Sequence, residues 1–394
     1  MDNRQIKQFP STYSRKNKEV KYFDYTFVFV LSIIIVFGLV MVYSASYYEA
    51  MTEFGDPNYY FKKQLISTCI GLVGLVVVAC IPYRFYRNFG ILPYAFCLLM
   101  IVLIFPFGVT ANGATRWIAI GPIQFQAAEP IKLGMIVFLA NYIQYHRKET
   151  DTFSFFLKVM AYAGVISVLI WQVTDNLSSA IIVAAISFLM VFVSSRDYRK
   201  YILMAIGAVA VAALVVAVVI YSSENADSTG GFRSERILAW LDLEKYASGT
   251  GLQTLQSLYA IGSGGIAGKG LGESMQKLNF LPEAQNDMIF SIICEELGLF
   301  GGISIILLFA ILIWRMVVIA INASDIQGGM LVVGVIAHIA VQVILNIAVV
   351  TNTIPNTGIS LPFISYGGTS VAFLLAEMGL VFSVSRGIKL SNVR

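Results

Sequence analysis

The chain has 394 residues, 57% of them hydrophobic and 13% charged, with a formal net charge of +4 and a mean hydropathy of +0.75. Such a composition excludes a water-soluble globule, and repeated apolar runs of about 18 or more residues predict an all-α polytopic membrane protein. The small positive balance comes from basic loops on one side of the membrane and does not call for a nucleic-acid partner.

Ten transmembrane helices are predicted, over 23–46, 64–81, 90–107, 129–145, 156–173, 176–194, 201–221, 287–320, 329–351 and 370–387. The tail (Arg4, Lys7, Arg15, Lys16, Lys18, Lys21) and alternate connections (Arg84/Arg87, Arg147/Lys148 with Lys158, Arg196/Arg199/Lys200, Arg315, and Arg386/Lys389/Arg394) hold most of the 27 basic residues. By the positive-inside rule both termini are cytoplasmic, and the long segment 222–286 is an extracellular loop between helices 7 and 8. The first apolar run is too long for a signal peptide and has no small-residue cleavage site, so it is read as a retained span. Cys69, Cys80, Cys97 and Cys294 all fall in spans without CxxC spacing and are read as small packing residues.

Residues 1–22 are polar and basic and are expected to form a cytoplasmic tail before the membrane domain, 23–394. Asp24 and Tyr25 serve as an interfacial anchor, and the first helix ends in GLVMVYSAS (38–46), where Ser44, Ala45 and Ser46 allow close packing. Between the third and fourth spans, GATRWIAIGPIQFQAAEPIK (113–132) runs polar residues into an apolar helix. Pro130 suits a first turn, Glu129 sits where the helix dipole stabilises a carboxylate, and Lys132 lies three residues on. That pair either holds a helix end or offers a buried cation to a phosphate-bearing ligand. Asp175 or Asn176 can cap the sixth span, and the seventh, all small aliphatics, reads as lipid-facing or packing surface.

The segment 222–286 has helical spacing over Phe232–Trp240 and an amphipathic stretch over Gly251–Ile261. Its glycine-rich run, 262–272, fails the P-loop spacing at Ser263 and Gly270; its amides either cradle a phosphate or form turns. Lys269, Lys277 and the turn residue Glu283 follow within that stretch, and Asp287 stands where the next apolar run begins. Asp287 or Asn286 could simply cap that helix. As one helix, 287–320 would measure ~50 Å against ~30 Å of hydrocarbon, so a break is expected near Gly298, Gly301 and Gly302. Glu295 and Glu296 flank it, one of them facing a cation such as Lys132. The last outer loop, 346–370, places Pro355, Gly358, Pro362, Ser365, Tyr366, Gly367 and Gly368 by a cavity on the outer side, which 222–286 is expected to roof.

These stretches resemble the SEDS family (shape, elongation, division and sporulation; FtsW, RodA and SpoVE), nearest to its division branch, FtsW. The resemblance is carried by GLVMVYSAS, GATRWIAIG with EPIK, IGSGGIAGKGLGESMQKLNFLPEAQNDMIF, EELG and PNTGISLPFISYGGTS, and covers all ten spans. It implies a peptidoglycan glycosyltransferase that polymerises lipid II on the outer face of the cell membrane. It also implies a class B penicillin-binding protein (transpeptidase) and other divisome or elongasome membrane proteins as partners. The family's essential aspartate matches Asp287, and its glutamate and lysine match Glu129 and Lys132. Departures lie at Gln285-Asn286, Ala127-Ala128 and Asp175-Asn176-Leu177-Ser178. Asp287 is then the expected base, while Glu129, Lys132, Arg116, Lys269, Lys277, Glu283, Ser365 and Tyr366 are expected to contact substrate. A divalent cation (Mg or Mn) could help balance the diphosphate. The alternatives are a lipid II transporter (flippase) and a non-catalytic scaffold for a transpeptidase.

Overall fold

Apolar helices make up most of the computed structural model, which describes residues 24–111, 114–121, 123–225 and 232–388. Helices α1 (Tyr25–Phe54) and α2 (Tyr59–Cys80) lead to a 3-10 turn (Tyr83–Phe89), α3 (Leu92–Val102) and the single turn α4 (Ile104–Phe107). Strands β1 (Gly108–Ala111), β2 (Ala114–Ile120) and β3 (Ile123–Gln126) follow, then α5 (Ala128–Tyr145), α6 (Phe153–Thr174), α7 (Leu177–Ser194) and α8 (Arg199–Asn225). The chain continues through α9 (Phe232–Leu241), α10 (Leu252–Gly264), α11 (Ile289–Ile321), α12 (Ile326–Val350) and α13 (Thr369–Ser385). The expected tail, 1–22, lies outside the described residues.

Every stretch expected to span coincides with a helix. Among the described residues, seven helices are long and apolar enough to cross a membrane, or eight if the bent pair around α3 is one crossing. The first turns of α5 hold Glu129 and Lys132, and α13 has 17 residues, so by length and apolarity alone up to eight of the ten expected crossings are supported. Helices α9 and α10 stand where the spacing predicts them. Asn176 caps α7, its Oδ1 accepting from Ser179 N at 2.9 Å. The three-stranded antiparallel sheet, in the order β1-β2-β3, was not expected; it lies against α4, the end of α6 and α13.

Helix α12 occupies the centre, packed on α5, α7, α11 and α13. Its polar residues all turn inward to partners, because a polar side chain facing hydrocarbon would lose its hydrogen bonds. Gln327 donates to Asn141 Oδ1 (2.8 Å), Gln342 to Ser360 O (3.0 Å) and Asn346 to Ile359 O (2.7 Å). His338 Nδ1 lies 2.8 and 3.0 Å from the Glu377 carboxylate oxygens, with both side chains buried. By contrast the span of α8 is uncovered by protein, as its aliphatic composition predicts. It is held at its start by Tyr201, buried among Phe156, Phe188 and Phe192. On the opposite end of the bundle from the long loop, Asp24 anchors α1: it accepts from Phe27 N at 3.0 Å and pairs with Arg315 at 2.7 Å.

Helix α11 breaks at Gly298 (φ 68°, ψ −164°), as its length demands. A broken helix leaves carbonyls and amides without partners, which the hydrocarbon interior does not tolerate. The glycine-rich run supplies them: Lys269 N and Gly270 N donate to the carbonyls of Glu295 (3.0 Å) and Glu296 (2.9 Å), and Leu299 N donates to Gly265 O (2.9 Å). The two backbones touch, since a Cβ on Gly268 would stand 2.2 Å from Glu296 O and one on Gly298 2.4 Å from Gly268 N. The amides of Lys269 and Gly270 are thus committed to the helix, and of the two readings of this run the turn is the one realised.

The same loop neutralises both glutamates, and their cations are Lys269 and Lys277 rather than Lys132. Lys269 Nζ bonds Glu295 Oε1 (2.6 Å), and Lys277 Nζ bonds Glu296 Oε1 (2.8 Å) and Ser44 Oγ (3.1 Å). Ser44 in turn donates to Glu296 (2.7 Å), so a residue read as a small packing contact ties α1 to the clamp. Glu295 has further donors in Ser274 Oγ, Met275 N and Gln276 N, whereas Glu296 has Ser44 alone besides its lysine. Removing one partner of a buried pair costs about 3–5 kcal/mol. Lys277→Met is therefore expected to lower the thermal stability of the detergent-solubilised protein more than Lys269→Met. Equal, small shifts together with weakened lipid II binding would instead return both lysines to a substrate role.

Candidate active site

The turn from Leu281 to Met288 carries Asp287 to the mouth of α11, and its local bonds show why it is not a cap. The N-cap of α11 is Met288, while Asp287 Oδ1 accepts from Gln253 Nε2 on α10 at 3.0 Å. Asn346 of α12 donates to the main-chain carbonyl of Asp287 at 2.7 Å, and Tyr366 N of the last loop donates to Gln285 O at 2.8 Å. Gly358 of that loop faces Oδ2, where a Cβ would come within 3.7 Å. Three separate parts of the chain, α10, α12 and the last loop, thus meet around Asp287. Burial, reinforced by the nearby Glu283 charge, pushes it up to about 7, although Arg236 and Gln253 oppose the shift. A carboxyl poised there exchanges protons at neutral pH.

Beside it opens a cavity of about 470 Å³ lined by Glu49, Thr52, Glu53, Asn279, Leu281, Pro282 and Glu283. Glu49 is held by Gln285 Nε2 (3.0 Å) and Tyr60 Oη (3.3 Å), and the Tyr60 ring packs edge-on against Tyr366 at 4.9 Å. Glu283 and Tyr366 are therefore near Asp287. Ser365 is buried, accepting from Leu361 N at 2.7 Å, and shapes the loop from within. Arg116 on β2 gives Nε and Nη2 to the carbonyls of Thr174 (3.3 Å) and Asp175 (3.0 Å). It closes the end of α6, where the resemblance implied a substrate contact.

Glu129 and Lys132 pair at 2.8 Å on α5, and Lys132 is 1% exposed. Glu129 Oε1 takes the one bond Lys132 makes, and Glu129 Oε2 is buried without a partner. An ion pair with unused donors and an unused acceptor is under-satisfied for such burial, so it has capacity for a further ligand. Helix α5 runs antiparallel to α12, because Gly334 abuts Ile136 and Gln327 bonds Asn141. Glu129 and Lys132 therefore lie on the same end of the bundle as Asn346 and Asp287, about two turns deeper. Among the described residues no three His, Cys, Asp or Glu side chains gather to hold a metal ion.

Sequence reasoning missed Gln253, Asn346 and Asn356. Amides carry no charge signal, and only the fold brings Gln253 to the carboxylate, Asn346 to the Asp287 carbonyl and Asn356 to Gln253.

Comparison with known proteins decides the family: the model for the cell cycle proteins FtsW, RodA and SpoVE matches residues 24–390. The chain belongs to that family. It is 36% identical to stage V sporulation protein E of Bacillus subtilis, covering 92% of this chain and 97% of that one. It is 37% identical to a probable peptidoglycan glycosyltransferase FtsW of Trichlorobacter lovleyi, covering 93% and 95%. Among solved structures, it resembles a chain of a peptidoglycan synthase complex that coordinates polymerization and crosslinking (TM-score 0.74, 25% identity, 93% of this chain and 98% of that). It shares the fold of the Thermus thermophilus rod shape determining protein RodA (TM-score 0.64, 24% identity, 93% and 97%).

If Glu129 and Lys132 serve only each other, exchanging them preserves the pair. A role in holding an anion instead predicts that the exchanged protein inserts and folds but polymerises no lipid II. Full activity of the exchange variant in a lipid II assay would reduce the pair to a strut.

Proposed function

We propose that this FtsW/RodA/SpoVE-family chain is a peptidoglycan glycosyltransferase that polymerises lipid II on the outer face of the cell membrane. The observation that carries the reading is the Asp287 carboxyl, buried at a helix mouth, with one oxygen bonded and the other facing Gly358. In the reaction, Asp287 removes the proton of the acceptor's GlcNAc 4-hydroxyl as that oxygen bonds to C1 of the donor's terminal sugar. The C1–oxygen bond to the lipid diphosphate breaks with inversion, and the diphosphate leaves with its electron pair. Lys132 offers its spare donors to that leaving charge in a dry site, where such contacts count most. Glu129 keeps the lysine oriented.

The names of the relatives support this reading, and the similarity to a chain of a peptidoglycan synthase complex supports a class B penicillin-binding protein as crosslinking partner. Ten crossings, with cytoplasmic termini and 222–286 outside, are part of the proposal, which needs Asp287 where the flipped substrate presents its sugars.

Asp287→Asn keeps the side chain's size and an acceptor for Gln253. Purified protein carrying it should fold and bind labelled lipid II while polymerisation falls by ~100-fold or more, the scale of a lost general base. Retained polymerisation would remove Asp287 from the chemistry. Wild type making no polymer in the absence of other polymerases would favour the transporter reading.

A base must be deprotonated to act, so the rate should rise with pH through the folded-state value. With the carboxyl pushed up to about 7, the ascending limb of kcat/KM is expected near neutrality. A limb near the ordinary carboxylate range, about 4, would show that Asp287 is not held as described.

A further inference from the structure

Taking Asp287 as the base, we propose that Gln253 and Asn356 form a carboxamide relay that positions its carboxylate, committing Oδ1 to a hydrogen bond and leaving Oδ2 to accept the proton. Gln253 stands in the first turn of α10 and Asn356 in the last outer loop, so the relay joins two segments that the chain separates widely. Gln253 Nε2 donates to Asp287 Oδ1 (3.0 Å) and to Pro282 O (3.3 Å), while Gln253 Oε1 accepts from Asn356 Nδ2 (2.7 Å). Asn356 Oδ1 accepts from Gly358 N (3.0 Å), and its carbonyl accepts from Arg236 Nη1 (3.3 Å).

These bonds fix which end of each amide points where. Turned over, Gln253 would set its oxygen against a carboxylate and its NH₂ against the NH₂ of Asn356. The backbone amide of Gly358 fixes Asn356 in the same way. The terminal torsion of an aspartate is otherwise broad and two-fold, so an untethered carboxylate would present either oxygen over a range of angles. The relay removes that freedom. Oδ2 is left beside Gly358, the side on which no Cβ stands. Because Asn356 and Gly358 are neighbours in one loop, the same segment orients the base and leaves the approach to it open.

The relay makes a distinctive kinetic claim, since a donor to a carboxylate favours its charged form. In a lipid II polymerisation assay with the purified full chain, Gln253→Ala should lower kcat about tenfold, the loss of one hydrogen bond to a charged group. KM should stay within about twofold, and the ascending limb of the rate should move to higher pH by about one pH unit. Asn356→Ala should act in the same direction but less, and the double variant should be no worse than Gln253→Ala, because Asn356 works through Gln253. Where the alanine variant does not reach the membrane, Gln253→Met keeps the side chain's length without the amide and should give the same limb shift. An unmoved pH limb, whether kcat holds or falls with stability, overturns the relay and leaves Gln253 a packing residue. Asp287→Asn, run in parallel, separates the two claims: if it stays active the base assignment itself fails, whereas if it is inactive and the Gln253 variants behave as wild type only the relay fails.

Discussion

The break of α11 at Gly298 is the constraint on which the rest of the outer half depends. A continuous helix over Ile289–Ile321 would be ~50 Å long, more than the hydrocarbon it crosses, and breaking it leaves polar backbone that has nowhere to go in lipid. The glycine-rich run answers with amides and a carbonyl, and Lys269 and Lys277 of the same loop answer the carboxylates of Glu295 and Glu296. Buried pairs of this kind add little net stability, since desolvation offsets the attraction, but they are costly to separate. Their effect is to fix one arrangement. With the loop seated, the turn of Leu281–Met288 has one place to be, and Asp287 with it.

Helix α12 plays the complementary part from within the membrane. Its inward polar stripe, from Gln327 through His338 and Gln342 to Asn346, meets partners on α5, α13 and the last loop. A polar group in the bundle is satisfied in only a few registers, so each such bond rejects a rotation or slide that apolar packing alone would allow. Asn346 extends this order to the site by holding both Ile359 O and Asp287 O. The rigid centre and the uncovered α8 stand in contrast: one side of the molecule is specified by hydrogen bonds, and the other is left to lipid.

What could be read from the sequence divides along physical lines. The membrane imposes a length and an apolarity on each crossing, so the helical stretches, the lipid-facing α8 and the break near Gly298 were all readable, as were the Asn176 cap and the helices after Phe232. The partners of Glu295 and Glu296 were not. Lys132, Lys269 and Lys277 are equally charged on paper, and the choice among them is made by folding a loop back over about two dozen residues onto a helix break. Nor could the sequence show that Arg116 gives hydrogen bonds to the carbonyls of Thr174 and Asp175 at the end of α6. The sheet over 108–126 escaped because its strands are short, GVTA, ATRWIAI and IQFQ; the alternation in ATRWIAI, turned at Gly121, was the available signal. Asp287, the proposed base, was singled out from charge and position. Its neutral amide neighbours could not be, since an isolated Gln or Asn in a sequence points nowhere.

The account stands or falls on the side of the membrane to which this clamped break presents Asp287. Ser248, exposed in the turn between α9 and α10, is a small polar residue close in sequence to Gln253 and outside the chemistry. With Cys69, Cys80, Cys97 and Cys294 replaced, a single Ser248→Cys should react with a membrane-impermeant thiol reagent added to intact cells whose outer layers admit it. Labelling that appears only after the membrane is broken would place the carboxylate on the cytoplasmic side and contradict the mechanism.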